Sequence, residues 1–328
     1  MLMLSRVADA IYWMARYLER AENIARFIEV NWHLTLDLPD FALQQWEPLV
    51  SVTGDSAFFR EKYGAADQAR VTRFLTVDGA YPNSIANCLR AARFNASSVR
   101  EIIPSEMWEQ VNRFFHLMEE VVKHPEPFLE NPYELCQDIK MRSMLLGGIA
   151  NDAMTHGEGW HFFNMGRMLE RADKTSRILD VKYFIILPHL GAVGTATDDI
   201  QWAALLRTTS ALQAYRQNYG RILPANVAEL LLLDRNFPRS ALHCLTRAQA
   251  SLHEITGTQL GYFQSRAEQL LGNLCAELAY KKIDDVFRFG LHEFIDHLQN
   301  ELNLVDRELW VNFSCQPDGD SCISMADQ

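Results

Sequence analysis

Met14-Ala-Arg-Tyr-Leu-Glu-Arg-Ala-Glu-Asn-Ile-Ala-Arg26 decides the fold, because the chain carries this stretch twice. The second copy is Met165-Gly-Arg-Met-Leu-Glu-Arg-Ala-Asp-Lys-Thr-Ser-Arg177. At a constant offset of 151, Met14, Arg16, Leu18, Glu19, Arg20, Ala21, Arg26 and Val30 return as Met165, Arg167, Leu169, Glu170, Arg171, Ala172, Arg177 and Val181. Glu22 and Glu29 return as Asp173 and Asp180. Near an offset of 156, Val77-Asp78 with Pro82, Ser84, Cys88 and Leu89 returns as Leu233-Asp234 with Pro238, Ser240, Cys244 and Leu245. Self-similarity of this kind predicts an all-α protein, a compact multi-helix bundle with an internal two-fold pseudo-repeat. The expected halves are about 1–150 and 151–313 of one helical domain, 1–313, followed by a mobile tail at 314–328.

Projected at 100° per residue, Met14, Leu18, Ala21, Ala25 and Ile28 fall on one side of a helix, widened by Trp13, Tyr17 and Ile24. Arg16, Glu19, Glu22, Asn23 and Arg26 gather opposite. Arg167, Glu170, Asp173, Lys174 and Arg177 form the matching stripe. Glu22–Arg26 and Asp173–Arg177 have the favourable acid-first spacing of four, worth about 0.2–0.5 kcal/mol on an exposed helix. Two readings of the stripes stand open: solvated, salt-bridged faces, or walls of a shared buried cleft.

At 328 residues and 48% hydrophobic content the chain is long enough for a large core. The formal charge of −11 argues against unspecific binding to nucleic-acid phosphates. Six cysteines show neither CxxC nor metal-ligand spacing, and Cys88 and Cys244 read as small buried hydrophobes. No run of eighteen apolar residues and no secretory leader is evident, so the expected location is cytoplasmic, away from membranes.

Beyond the two long helices, helical spacing covers Leu49 to Tyr63, Ala66 to Val77, Ile85 to Ile103, Ser105 onward, and Tyr133 to Ala153, the last closely packed or interrupted at Gly147-Gly148. In the second half it covers Thr197 to about Tyr219, Ala225 to Leu233, Ser240 to Ile255, Tyr262 to Lys282 and Asp284 to Leu309. Asp78 to Ser84 and Asp234 to Ser240 are turn-rich corners, each serine placed to cap the next helix.

Three places are candidates for chemistry. Arg16, Glu19, Glu22, Arg26, Arg167, Glu170, Asp173 and Arg177 would line a cleft between the repeated helices. Guanidiniums recognise phosphate or carboxylate with paired donors, and carboxylates hold divalent cations. Arg235 and Arg239, in the second corner, would add anion donors. Glu19, Glu170, His156, Glu158 and His161 are weaker metal candidates. There is no Gly-rich phosphate loop, serine-nucleophile elbow or Cys-His pairing to name a reaction.

Ser5-Arg-Val-Ala-Asp-Ala-Ile-Tyr-Trp-Met-Ala-Arg-Tyr-Leu-Glu-Arg-Ala-Glu-Asn-Ile-Ala-Arg26, Gly166 to Arg177, and Asp234-Arg-Asn-Phe-Pro-Arg-Ser240 together resemble the bacterial alpha-E domain family, from Leu4 to about Phe313. The resemblance implies an all-helical domain encoded beside, or fused to, a circularly permuted ATP-grasp protein. Transglutaminase-like and peptidase-like neighbours are implied as well, a context that suggests a role in peptide or amide-bond metabolism. Two positions depart from the family pattern: Arg93-Phe94-Asn95-Ala96-Ser97 stands where Arg-Glu-Asn-Ala-Arg is common, and Asn236 replaces the usual acid. If those acids serve a site, this chain has lost or relocated part of it.

The expected function is therefore an auxiliary, partner-binding component of an ATP-grasp-associated system forming peptide or amide bonds. An anionic small molecule or a peptide is the ligand this admits. One alternative is an enzyme acting on an anionic small molecule in the cleft, with Mg2+ held by Glu19 and Glu170 or those carboxyls moving protons. Another is a purely structural helical interaction protein.

Overall fold

The computed structural model describes residues 3–37, 46–186 and 196–314. Among them every regular element is a helix, and no strand occurs. In chain order they are α1 (Ser5–Asp37), α2 (Glu47–Thr53), α3 (Ser56–Tyr63), α4 (Gln68–Thr76), α5 (Ile85–Ser98), α6 (Ser105–Lys123), α7 (Glu126–Glu130) and α8 (Tyr133–Ala153). There follow α9 (Glu158–Ile186), α10 (Ala196–Thr208), α11 (Leu212–Asn218), α12 (Pro224–Leu232), α13 (Ala241–Thr256), α14 (Arg266–Tyr280), α15 (Ile283–Phe289) and α16 (Leu291–Ser314). The all-α, multi-helix bundle follows from the periodicity. Apart from Ser314, the predicted tail lies outside the described residues.

The two copies of the quoted stretch are the middles of α1 and α9, which pack against each other. Small residues let the backbones approach: Ala21, Ala25 and Ala172 are completely buried, and a Cβ placed on Gly166 would lie 2.5 Å from the Tyr12 carbonyl oxygen. Around this pair, α5, α8, α10 and α16 cover α1, while α13 and α16 cover α9. From Ala21 to Glu29, α1 therefore has no solvated side, whereas Trp13, Arg16, Tyr17 and Arg20 stay partly exposed. Met14, Ile28, Glu19, Glu22, Asn23 and Arg26 are all nearly or fully buried. The solvated reading is thus overturned for Glu19, Glu22, Asn23 and Arg26, which the neighbouring helices enclose.

Several predicted helices are divided where the backbone adopts positive φ. Gly54 (φ 82°) separates α2 from α3, and Gly290 (φ 109°) separates α15 from α16. Ser210 (φ 56°) ends the helix expected to run to Tyr219, leaving α10 and α11. The expected Tyr262 start of α14 moves to a capping box, in which Ser265 Oγ accepts from Glu268 N and the Glu268 carboxylate accepts from Ser265 N. α8 runs unbroken through Gly147-Gly148.

Both corners form as read. Asp78 Oδ1 accepts from Ala80 N at 2.9 Å, and Asp234 Oδ1 accepts from Asn236 N at 2.7 Å. Ser84 Oγ caps α5 through Asn87 N, and Ser240 Oγ caps α13 through His243 N at 3.1 Å. These caps fix where the preceding residues, Asn83 and Arg239, point.

Candidate functional site

The buried polar side chains of α1 and α9 form two clusters, each centred on one glutamate and built across the helix pair. In the first, Glu170 is completely buried. Arg20 donates Nε to its Oε1 at 2.7 Å and Nη2 to its Oε2 at 3.1 Å. Arg16 donates Nε to Oε2 at 2.7 Å, and Lys174 Nζ lies 3.5 Å from Oε1. The first corner adds Asn83, whose Oδ1 accepts from Arg20 Nη1 at 2.6 Å. From α16, Asp306 accepts from Arg16 Nη1 at 2.7 Å and from the Tyr12 hydroxyl. One turn on, Asp173 binds Lys174 at 2.8 Å and Arg177 Nε at 3.0 Å. Arg177 Nη1 donates to the Val52 carbonyl at 3.1 Å.

In the second cluster Glu19 takes the bidentate pair, from Arg171 Nε at 2.8 Å and Nη2 at 2.7 Å. Asn23 and the second corner's Arg239 also reach Glu19, at 3.0 and 3.3 Å. Arg239 bonds Asn23 Oδ1 at 3.2 Å and the Glu22 carboxylate as well. Arg26 donates Nε to Glu22 at 2.8 Å, and its Nη1 reaches the Thr208 carbonyl and Ser210 Oγ. Thr208 and Ser210, the latter at positive φ, thus both face α1 where α10 ends.

Burial alone would raise these carboxyl pKa values, yet the fixed guanidiniums more than offset it. Burial at Glu170 is outweighed by Arg20, Lys174 and Arg16, which hold the carboxyl well below its usual range. At Glu19 burial is outweighed by Arg171 and Arg239, and at Asp173 by Lys174 and Arg177, so both fall to about 2. The buried thiols near the clusters go the other way: burial pushes Cys88 and Cys244 up to about 12 and leaves them protonated.

The first cluster opens onto a cavity of about 350 Å³. Its walls carry Arg16 and Arg20 from α1, Asp173, Lys174 and Arg177 from α9, and Thr53, Tyr81, Asn83 and Asn303 from the surrounding elements. Ile24, Phe27, Val52, Leu169 and Leu302 supply the apolar wall. That volume suits a small metabolite. Among the described residues, Arg16 Nη2 and Arg177 Nη2 meet no protein acceptor.

The sequence candidates therefore divide. Arg16, Asp173 and Arg177 line the cavity, and Glu170 anchors its cations. Glu19, Glu22, Arg26 and Arg239 form the second cluster, with Arg167 beside it. Arg235 does not join either cluster: it is exposed and donates Nη2 to the Ala279 carbonyl at 2.9 Å, at the end of α14. His156 stacks on Trp160 with ring centroids 4.3 Å apart, Glu158 accepts from Met3 N at 3.0 Å, and His161 faces Ser251. His156 and His161 both pack against Trp160, but with Glu158 they form no metal-holding group, and Glu19 and Glu170 are each enclosed by cations. No group of three His, Cys, Asp or Glu with metal-holding geometry occurs among the described residues.

Arg20, Arg171, Lys174, Asn23, Asn83, Tyr12 and Asp306 are site residues that the candidate set omitted. Arg20 and Arg171 carried a signal, since both recur in the repeated stretch. Tyr12 and Asp306 carried none.

No helix among the described residues is long and apolar enough to cross a membrane. No solved structure matches the chain. Relatives exist in two mycobacteria: the uncharacterised proteins Rv2567 of Mycobacterium tuberculosis and Mb2597 of Mycobacterium bovis, each 27% identical over 290 residues. The match covers 83% of this chain and 32% of each relative, so the chain spans about a third of their length. Residues 3–313 match Alpha-E, described as a predicted alpha-helical domain with a conserved ER motif. Glu19-Arg20 and Glu170-Arg171 are the Glu-Arg dipeptides of this chain, and they hold its two clusters together: the chain belongs to the alpha-E family.

Proposed function

We propose that the chain is a helical binding component whose cavity between α1 and α9 takes a small molecule bearing a phosphate or carboxylate. The supporting observation is the charge at the cavity. Among the described residues, Arg16, Arg20, Lys174 and Arg177 face three carboxylates, those of Glu170, Asp173 and Asp306, and two guanidinium edges there lack protein acceptors. A chain of net charge −11 that gathers four cations in one cavity favours an anion there. Binding is preferred to acid–base catalysis because the carboxyls are held ionised far below neutral pH, where a general acid needs its proton. The ATP-grasp partner, the role in amide-bond formation and the cytoplasmic location enter this proposal from the resemblance and from sequence patterning alone.

The same proposal takes residues 1–150 and 151–313 as related halves of one domain. It is supported by an exchange between the clusters. The first has Lys174 on its helix and Asn83 at its corner; the second has Asn23 on the helix and Arg239 at the corner. Each cluster keeps one asparagine and one cation, with their places traded.

Calorimetric titration with a panel of phosphorylated and carboxylated metabolites tests the cavity. Arg177→Gln is expected to weaken the best ligand at least tenfold, and Arg235→Ala to leave its affinity unchanged. Equal affinity in wild type and Arg177→Gln would overturn the assignment. Copurification with a co-expressed ATP-grasp protein tests the partner.

A further inference from the structure

The second cluster is not neutral. Arg26, Arg167, Arg171 and Arg239 gather around two carboxylates, Glu19 and Glu22. Glu19 is saturated by Arg171, Arg239 and Asn23, and Glu22 by Arg26 and Arg239. Arg167 is left over. No carboxylate among the described residues comes within ion-pair distance of it, and its Nε is buried without any acceptor. Its guanidinium lies against Gly147 of α8 and beside the Phe163 ring, the carbon of the guanidinium 5.9 Å from the ring centroid.

Arg16, at the corresponding place in the first cluster, shows what is absent. Its Nε and Nη1 take Glu170 and Asp306, and Asp306 comes from a distant part of the chain. Among the described residues no carboxylate plays either part for Arg167. A half-buried cation whose Nε is withdrawn from water without a partner is costly. Burial and the neighbouring Arg171 pull the Arg167 guanidinium down to about 10.

We infer that Arg167, with Arg171 beside it, is a second anion site that binds a small oxyanion where Asp306 serves Arg16. The group is a planar carboxylate or a phosphate, because a guanidinium edge offers paired donors to either. Arg167 is partly exposed, so the site is reachable from solvent. Gly147 belongs to it as well: a Cβ there would sit 2.4 Å from Arg167 Nη1, whereas one on Gly148 would meet nothing within 4 Å. The glycine is what allows the guanidinium its place.

The test is calorimetric titration of the wild-type chain in anion-poor buffer with inorganic phosphate and, separately, with acetate. Binding by either is expected, and which one binds more tightly identifies the oxyanion. Arg167→Met and Gly147→Ala are expected to weaken it at least tenfold, while Gly148→Ala and Arg177→Gln retain it. Arg167→Met is also expected to unfold at no lower urea concentration than wild type without added anion, since it removes a charge that lacks a partner. Unchanged affinity in Arg167→Met, absence of binding by the wild type, or marked destabilisation of Arg167→Met in anion-poor buffer would each overturn the site.

Discussion

Glu170 is held by Arg20 of the opposite long helix, through Nε at 2.7 Å and Nη2 at 3.1 Å, and not by Arg171, its neighbour in sequence. Glu19 and Arg171 form the reciprocal pair. A Glu-Arg dipeptide on a helix cannot easily pair with itself, because adjacent residues point about 100° apart. Two such dipeptides on facing helices can each satisfy the other. The family's Glu-Arg motif is therefore a clamp between α1 and α9 in this chain.

Neutralising one end of the clamp should destabilise the fold. Glu170→Gln keeps the shape of the side chain but leaves Arg16, Arg20 and Lys174 without the charge they surround. The expected loss is about 3–5 kcal/mol in urea unfolding, the usual effect of breaking one side of a buried pair. A loss under about 1 kcal/mol would mean that the pair contributes no more than an exposed one.

The carboxyls also set the acid limit. Glu19 falls from an ordinary 4.5, and Asp173 from 3.8, to about 2 in the folded chain, with Glu170 lowered too. Between those values the unfolded chain binds more protons than the folded one, so stability rises with pH. The stabilisation is complete above about pH 4.5 and is lost as pH falls toward 2, on the order of 3 kcal/mol for Glu19. Urea midpoints measured across that range should fall steeply in wild type and less steeply in Glu19→Gln.

Much of this was legible in the chain and some was not, for physical reasons. The repeated stretch with its apolar period located α1 and α9, and the turn chemistry of Asp234 and Ser240 located a corner. The helical projection left the Glu22–Arg26 stripe undecided, since a stripe of charge looks the same whether water or another helix faces it. Intrahelical spacing drew attention to Glu22 with Arg26, while the cross-helix partners Arg20 and Arg171 went unassigned. Gly54 and Gly290 are glycines where φ turns positive, so their breaks were readable. Ser210 does the same without a glycine, and nothing local marks it. Asp306 reaches Arg16 from 290 positions away and needed the fold.

The corner should separate its two arginines. Arg235→Ala loses one exposed bond to the Ala279 carbonyl and should change stability by no more than about 0.5 kcal/mol. Ser240→Ala removes the cap of α13 and should cost about 1 kcal/mol. Because Arg239 adjoins that cap, Ser240→Ala should also flatten the acid profile of Glu19. Thermal and urea unfolding of the two variants side by side checks the ordering, which a reversal would refute.

The contact between the long helices at Gly166 provides the sharpest packing prediction. At Gly166 an added Cβ would lie 2.5 Å from the Tyr12 carbonyl oxygen and 3.1 Å from its ring, and backbone cannot yield as a flexible side chain would. Gly166→Ala must push α1 and α9 apart, at a cost of about 1–3 kcal/mol or more. The clamp lies within the next turn, so the displacement should also lengthen Arg20–Glu170 and Arg16–Glu170. Gly148→Ala offers the contrast. It sits inside α8 with open space around its Cα, and alanine there should stabilise the helix by up to about 1 kcal/mol. Opposite signs of the two changes in urea unfolding are expected from contact geometry alone. Helix propensity by itself would make both substitutions stabilising, so a stable Gly166→Ala variant would show that the helices are not in contact there.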